Sequence, residues 1–296
     1  MFIRKKVDKM NITGHTGMYC LIGSPVGHSG SPAMYNYSFD QCGLDDVYLA
    51  YDVKIEDTKA AIEGLKLLGC KGFNITMPCK TAAMECMDEV SKAAELIGAV
   101  NTVVNDNGRL IGHNTDGLGW VRNCRENGFE PSGKKMTICG SGGAATALEI
   151  TCALEGMREI SIFAIKDSFY ANAEETVRKI RENVPGCTCN LYDLADKETF
   201  YKEIASSDIL VNATRVGMKP MDDMTLVEDK SAFRKDLVVG DVVYNPRKTK
   251  MLLEAEAAGC KIIQGIGMLL WQGAEAFKLY TGKEMPAQEV MDKFFR

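Results

Sequence analysis

The sequence predicts an α/β fold of two domains, and three observations predict it. Short apolar runs alternate with amphipathic stretches along most of the chain, the pattern of strands crossing through helices into a mostly parallel sheet. A glycine-rich turn, Gly140-Ser141-Gly142-Gly143-Ala144, lies between one such run and the helix expected after it. The chain has 296 residues, more than one small core ordinarily organises.

In order along the chain, Met18 to Ile22 is an apolar run closed by Gly23-Ser24-Pro25, a strand and its turn. Ser31-Pro32 opens a segment with Met34, Tyr35 and Phe39 at helical spacing. A strand is expected over 47–53, a helix over 58–68, a strand over 72–76 and, beyond Pro78, a helix over 80–90. The second domain begins near Gly117. Residues 136–139 read as a buried strand, 146–155 as a helix, 160–163 as a strand and 174–183 as a helix. Strands at 209–211 and 237–239 complete the series, and from Lys248 the pattern turns helical, over 251–258 and 268–280.

The composition is that of a soluble globular protein, 46% hydrophobic and 25% charged. A net charge of −5 and a pI of about 5.4 give no global field toward nucleic acid or an anionic membrane. Positive charge for an anionic ligand must therefore be placed locally. Eleven cysteines, spread from Cys20 to Cys260 without a C-x-x-C pair, suit neither a disulfide framework nor zinc. They read as reduced thiols of a cytoplasmic protein, with Cys187 and Cys189 near a loop or edge strand. His15, His28 and His113 lie far apart, so no metal is expected. The basic start has no apolar signal core, and no run approaches the ~18–20 residues that span a bilayer. Residues 1–17 are read as an extension before the first strand.

Gly140-x-Gly142-x-x-Ala145 follows a strand and opens a helix, the setting that the dinucleotide fingerprint of a Rossmann-type domain requires. Glycine there removes the Cβ that would block a pyrophosphate, and the N–H groups of Ser141, Gly142, Gly143 and Ala144 together with the helix dipole face that anion. The end of the next strand reads the adenosine ribose. Asp167 there favours NAD, because a carboxylate hydrogen-bonds the 2′-hydroxyl and repels a 2′-phosphate. Its neighbour Lys166 offsets this in part and leaves NADP as the second cofactor.

Several separated motifs then carry a resemblance. They are Gly23-Ser-Pro-Val-Gly-His-Ser29-Gly-Ser31-Pro32, Asn74-Ile-Thr76-Met-Pro78-Cys-Lys80, Gly98-Ala-Val-Asn101-Thr102 and Asn114-Thr115-Asp116-Gly117. Further on stand Asn212-Ala-Thr214, Gly217-Met218, Val243-Tyr244-Asn245-Pro246 and Gly265-Ile-Gly267-Met268-Leu-Leu-Trp-Gln272-Gly-Ala274. Together they resemble the shikimate/quinate dehydrogenase family, from about residue 18 to 290 and in the family's order. The likeness is strongest to the branch that uses both acids, through Gly217-Met-Lys-Pro220 and Met268-Leu-Leu-Trp271-Gln272. The resemblance implies a substrate-binding domain over 18–116 plus 248–296, with the C-terminal end packing back on it, and a Rossmann domain over 117–247. It also implies a role in aromatic amino acid biosynthesis or in quinate use.

Shikimate and quinate are small carboxylates with several ring hydroxyls, so their site needs carboxylate donors, hydroxyl partners and a proton acceptor. Ser29 and Ser31 present hydroxyls that suit the carboxylate, although Ser31 before Pro32 also suits a helix N-cap. Asn74, Asn101 and Gln272 offer donor and acceptor groups for vicinal hydroxyls, with Thr76 inside the same motif as Asn74. The resemblance directs the Lys80 amine at the hydroxyl being oxidised and sets Asp116 opposite it, an acid/base pair in which the proton is not assigned to either member. It also places Tyr244, Gly265 and Met268 toward the nicotinamide, and Asn245 and Arg215 toward the cofactor.

The chain departs from the family at Tyr35, where many members have histidine, at Gly30, where longer residues are common, and at Ala164-Ile165, where NADP-using members often have Asn-Arg. The last loss adds to the preference for NAD. Two rival readings are a dehydrogenase of a folate-linked one-carbon unit and a non-catalytic dinucleotide or shikimate sensor. The paired serines and the Asn114-Thr115-Asp116 motif argue against the first, and intact Lys80 and Asp116 against the second. The oligomeric state is not legible, with a homodimer as one candidate.

Overall fold

A computed structural model describes residues 12–295 of the chain, so most of the expected N-terminal extension lies outside the described residues. Its elements run β1 (Gly17–Gly23), α1 (Ser31–Gln41), β2 (Asp46–Asp52), α2 (Thr58–Leu67), β3 (Gly72–Ile75), β4 (Glu89–Val90), α3 (Lys92–Ile97), β5 (Thr102–Asp106), β6 (Arg109–His113) and α4 (Asp116–Glu126). They continue with β7 (Lys135–Cys139), α5 (Gly143–Leu154), β8 (Glu159–Ala164), α6 (Tyr170–Asn183), β9 (Thr188–Asp193), α7 (Lys197–Ser206), β10 (Ile209–Asn212), β11 (Val238–Asp241), α8 (Lys250–Ala257), β12 (Lys261–Ile263), α9 (Gly265–Thr281) and α10 (Ala287–Phe294).

The chain divides into two compact units. The first takes the described residues up to Glu89, then Thr102–Gly112 and the end from Phe277. Its sheet has the order β2-β1-β3-β5-β6-β4. Strand β1 pairs in parallel with β2 and β3, while β5 runs antiparallel to β3, so the sheet as a whole is mixed. A central parallel strand is covered on both faces, which is why β1 reads as one nearly continuous apolar run. Helix α2 buries Thr58, Ile62 and Leu65 on one stripe. Strands β5 and β6 are joined by Asn107-Gly108 with φ of 52° and 93°, the left-handed pair that lets a two-residue turn follow the strand twist. Tyr35 stacks on Tyr48 with ring centroids 4.4 Å apart, and Phe39, Phe277 and Tyr280 pack around Tyr35.

The helix expected over 80–90 is not there. The chain turns through residues 77–81, makes one short 3-10 helix at Ala82–Cys86 and becomes β4. Tertiary partners override the apolar spacing: Asp88 accepts the Leu110 N–H at 2.8 Å and the Lys66 ammonium at 3.1 Å, which holds this stretch extended beside β6.

The second unit comprises Val90–Asn101 and His113–Ala276. Its sheet runs β12-β11-β10-β7-β8-β9 with every pair parallel. In the order in which the strands follow one another this is 6-5-4-1-2-3, the doubly wound Rossmann arrangement, whose direction of winding reverses between β7 and β10. Cys187 and Cys189 fall at the start of edge strand β9, as read from the sequence, and all eleven cysteines are free. Strand β12, only three residues long, interrupts the segment that reads as helical from Lys248. Because β12 extends this sheet, α8 and the part of α9 up to Ala276 group with the second unit, whereas 248–296 was expected with the first domain. Among the described residues no helix is long and apolar enough to cross a membrane.

Candidate active site

In open α/β sheets ligands bind beyond the carboxyl ends of the strands, and part of the set lies there: Ser29, Ser31, Thr76 and Lys80 follow β1 and β3 in the first unit, and Gly140, Asp167, Arg215 and Tyr244 follow β7, β8, β10 and β11 in the second. In the first unit the loop after β1 meets the loop after β3. Gly23 has a φ of +148° and a Cβ there would lie 2.8 Å from Met77 O, so only glycine lets the two loops touch. Ser24 N–H closes the contact on Met77 O at 3.0 Å, and Thr76 N–H reaches back to Ile22 O at 2.9 Å. This sets the serine loop beside the Thr76–Lys80 turn. The N-cap of α1 is Gly30, not Ser31, which takes the first helical position beside Pro32. The oxygen that accepts the Ser31 N–H, at 3.2 Å, belongs to Ser29.

Asn74 is buried at the end of β3 with both ends of its amide engaged. Its Oδ1 accepts the Tyr48 hydroxyl at 2.8 Å and its Nδ2 donates to Thr102 Oγ1 at 3.0 Å. Burial pushes the Tyr35 and Tyr48 phenols well above their ordinary range, so both stay neutral hydrogen-bonding groups. Thr76 and Lys80 are half-buried in the turn that follows.

In the second unit Asp116 opens α4, where the dipole and free N–H groups of the helix start favour a carboxylate. Asn101 fixes it: Nδ2 donates to Asp116 Oδ1 at 2.9 Å, while Oδ1 accepts the Thr115 N–H at 2.8 Å and the Thr115 hydroxyl at 3.2 Å. Asn114 adds a turn by accepting the Asp116 N–H at 3.1 Å. Gln272 stands on α9, with Nε2 donating to Leu269 O at 3.1 Å.

The glycine turn lies between β7 and α5. Gly140 ends β7 with a φ of +137°, and a Cβ there would lie 2.7 Å from Ala213 O, the start of the loop after β10. That is the place where the winding reverses. Gly142 caps α5 with no side-chain hydrogen bond, and a Cβ at Gly142 or Gly143 would meet nothing within 4 Å among the described residues. Gly142, Gly143 and Ala144 are exposed, so an open cradle faces the helix N-terminus, and it fits a pyrophosphate. After β8, Asp167 Oδ1 accepts the Phe169 N–H at 2.8 Å, and the Lys166 ammonium lies 3.4 Å from Asp193. A carboxylate offers about four acceptor sites, so Asp167 keeps capacity for ribose hydroxyls.

The loops after β10 and β11 carry exposed Arg215, Tyr244 and Asn245. Asn212 and Asp241 hold these loops, two residues whose joint role the sequence did not disclose. Asn212 Oδ1 accepts the Thr214 N–H and hydroxyl at 2.9 and 2.7 Å, and its Nδ2 donates to Val216 O and to the Asp241 carboxylate. Asp241 also accepts from the Thr249 hydroxyl at 2.7 Å and the Val243 N–H at 2.9 Å. Burial pushes its carboxyl up to about 6, against these hydrogen bonds, which favour the charged form. Gly265 lies against the same loop, since a Cβ there would come 2.5 Å from Val242 O. Met268 is buried in the hydrophobic core of the unit.

Two family models match the chain: the shikimate dehydrogenase substrate binding domain over residues 21–103 and the shikimate 5′-dehydrogenase C-terminal domain over residues 265–293. The chain is 51% identical over 284 residues to a shikimate dehydrogenase (NADP(+)) of Listeria monocytogenes serotype 4b (strain F2365), covering 96% of this chain and 97% of the relative. The chain belongs to the shikimate dehydrogenase family. Within that family it is also 46% identical to a quinate/shikimate dehydrogenase of Escherichia coli (strain SMS-3-5 / SECEC), over 95% of this chain and 97% of the relative. Its fold matches a crystal structure of a Listeria monocytogenes shikimate 5-dehydrogenase in complex with shikimate and NAD, with a TM-score of 0.93 and coverage of 95% and 97%. Membership favours neither the folate-linked nor the sensor reading.

Proposed function

We propose that the chain is a cytoplasmic dehydrogenase that moves a hydride reversibly between a ring hydroxyl of shikimate and a nicotinamide dinucleotide, and that it accepts quinate at the corresponding hydroxyl. The carrying observation is the match, along nearly its whole length and in fold, to an enzyme solved with shikimate and NAD. The fixed Asn101–Asp116 pair and the open cradle before α5 support the same reading.

In this reading the Ser29 and Ser31 hydroxyls donate to the substrate carboxylate, and Asn74, Thr76, Asn101 and Gln272 engage the ring hydroxyls. Lys80 and Asp116 take the hydroxyl proton as the carbon-bound hydrogen leaves with its electron pair. A bound dinucleotide supplies the nicotinamide ring that accepts this hydride. The chain's own share is to hold the anion at Gly140–Ala144, the ribose at Asp167 and the nicotinamide end beside Arg215, Tyr244, Asn245, Gly265 and Met268. NAD is the preferred partner and NADP the poorer one, because Asp167 is a carboxylate and the cation beside it, Lys166, is already near Asp193.

Lys80→Ala tests the reading. It should lower kcat by at least ~100-fold, the share that acid/base help ordinarily supplies, with dinucleotide affinity unchanged. Near-normal turnover would remove Lys80 from the chemistry. Asp167→Ala should weaken NAD more than NADP in a binding titration, and an unchanged ratio would place ribose recognition elsewhere.

A further inference from the structure

Helix α4 carries more than Asp116, and the rest of it is built against α9. Gly119, three residues after Asp116, faces the backbone of Gln272: a Cβ there would lie 2.7 Å from Gln272 Cα. The next residue on that side is Arg122. Its guanidinium lies over the Trp271 ring, 4.4 Å from the centroid, and its Nη1 donates to Glu275 Oε1 at 2.8 Å. Trp271 and Glu275 stand immediately before and three residues after Gln272, so one side chain grips α9 on both sides of that position. Near its end α4 is tied to the start of α9, where Asn123 Nδ2 donates to Gln264 O at 3.0 Å and a Cβ at Gly267 would lie 2.5 Å from Asn123 Cγ.

The Arg122 and Glu275 side chains are 26% and 22% exposed. A partly desolvated guanidinium that stacks on indole and also makes a charge-assisted hydrogen bond holds its partners more firmly than a surface ion pair. Lysine cannot replace it, having neither the plane nor the fork.

We infer that Arg122 is a positioning residue: gripping Trp271 and Glu275, it sets the Gln272 amide with respect to Asp116 and Asn101 and so fixes affinity for the ring-hydroxyl acid. This rests on Gln272 being a substrate contact, as proposed above. Arg122 also faces Glu126 of its own helix at 3.7 Å, but it touches neither reactant, and its effect on the site runs through α9.

The test is a double-mutant cycle in KM for shikimate at saturating dinucleotide, with Arg122→Ala, Gln272→Ala and the pair combined, each checked by thermal melting. Gln272→Ala should raise this KM, and no change there would remove Gln272 from the site and with it the proposed reading of that residue. Arg122→Ala should raise the same KM by about 5- to 10-fold, within the coupling range of neighbouring residues. Its kcat and its dinucleotide KM should stay within about twofold. Combined with Gln272→Ala it should add nothing, whereas general loosening of the fold would multiply the two effects. A raised KM in Gln272→Ala with none in Arg122→Ala, or full multiplication in the double variant, overturns the inference. Should Arg122→Ala not fold, Glu275→Gln keeps the side-chain shape while weakening the pair and should raise the shikimate KM by about 2- to 3-fold. No rise in that variant would equally overturn it.

Discussion

Asn74 and Asn101 have the same side chain, and the structure sets each with a different partner: two hydroxyls hold the first, and the second bridges Asp116 and Thr115. Their positions were legible because they lie inside spaced motifs. Tyr48 was not, because a tyrosine in an alternating strand reads as core until its hydroxyl is seen on Asn74. Asp241 was hidden in the same way, as one acid at a strand end. A different residue stands apart from the site. Glu149 of α5 is fully buried, neither carboxyl oxygen has a hydrogen-bond partner among the described residues, and burial pushes its carboxyl up to about 8 from an ordinary 4.5. The folded state thus keeps its proton where the unfolded chain releases it. Its contribution to stability is complete below about 4.5 and is lost progressively as pH rises through about 8. Glu149→Gln removes that dependence. Melting temperatures should therefore show the variant gaining on the natural protein from pH 5 to 8, with the difference level above that range. A difference that does not change with pH would mean Glu149 finds a partner.

At the scale of elements, α4 is the part on which most rests. Gly117 lets it approach α5, since a Cβ there would lie 2.5 Å from Thr151 Cβ and closer still to the Ala147 carbonyl, and Gly119 lets it approach α9. A backbone carbonyl cannot step aside cheaply, so Gly117→Ala should cost roughly 1–3 kcal/mol by overpacking. The melting temperature should fall by about 2–4 °C for each of those, and no fall would show that the seam has slack. The sequence marked the start of this helix only through its asparagine, threonine and aspartate. Elements with a long apolar period or a glycine turn, such as β1, β3, β7 and α5, were readable. The β5–β6 hairpin carried a strong signal in Asn107-Gly108 that the wider βα pattern obscured. The stretch over 80–90 has helical spacing but is set by Asp88 and its partners, which lie far off in sequence.

At the scale of the whole molecule, the alternation of strands and helices and one glycine turn in its proper setting were enough to predict two α/β domains and a Rossmann sheet. The grouping of the segment from Lys248 to Ala276 was harder to read, because the three-residue strand β12 ties it to the second sheet and three residues have no period. Family membership does not by itself fix which acid or which dinucleotide is used: relatives of similar identity carry the names of shikimate and of quinate/shikimate enzymes. A pocket that merely tolerates the extra hydroxyl of quinate discriminates only on the order of 100-fold. The direct measurement is the initial rate of nicotinamide reduction by the purified protein, with shikimate and quinate each paired with NAD⁺ and NADP⁺. The proposed function requires turnover of shikimate, faster with NAD⁺ than with NADP⁺, and measurable turnover of quinate. Folded protein that turns over neither acid with either dinucleotide would contradict it.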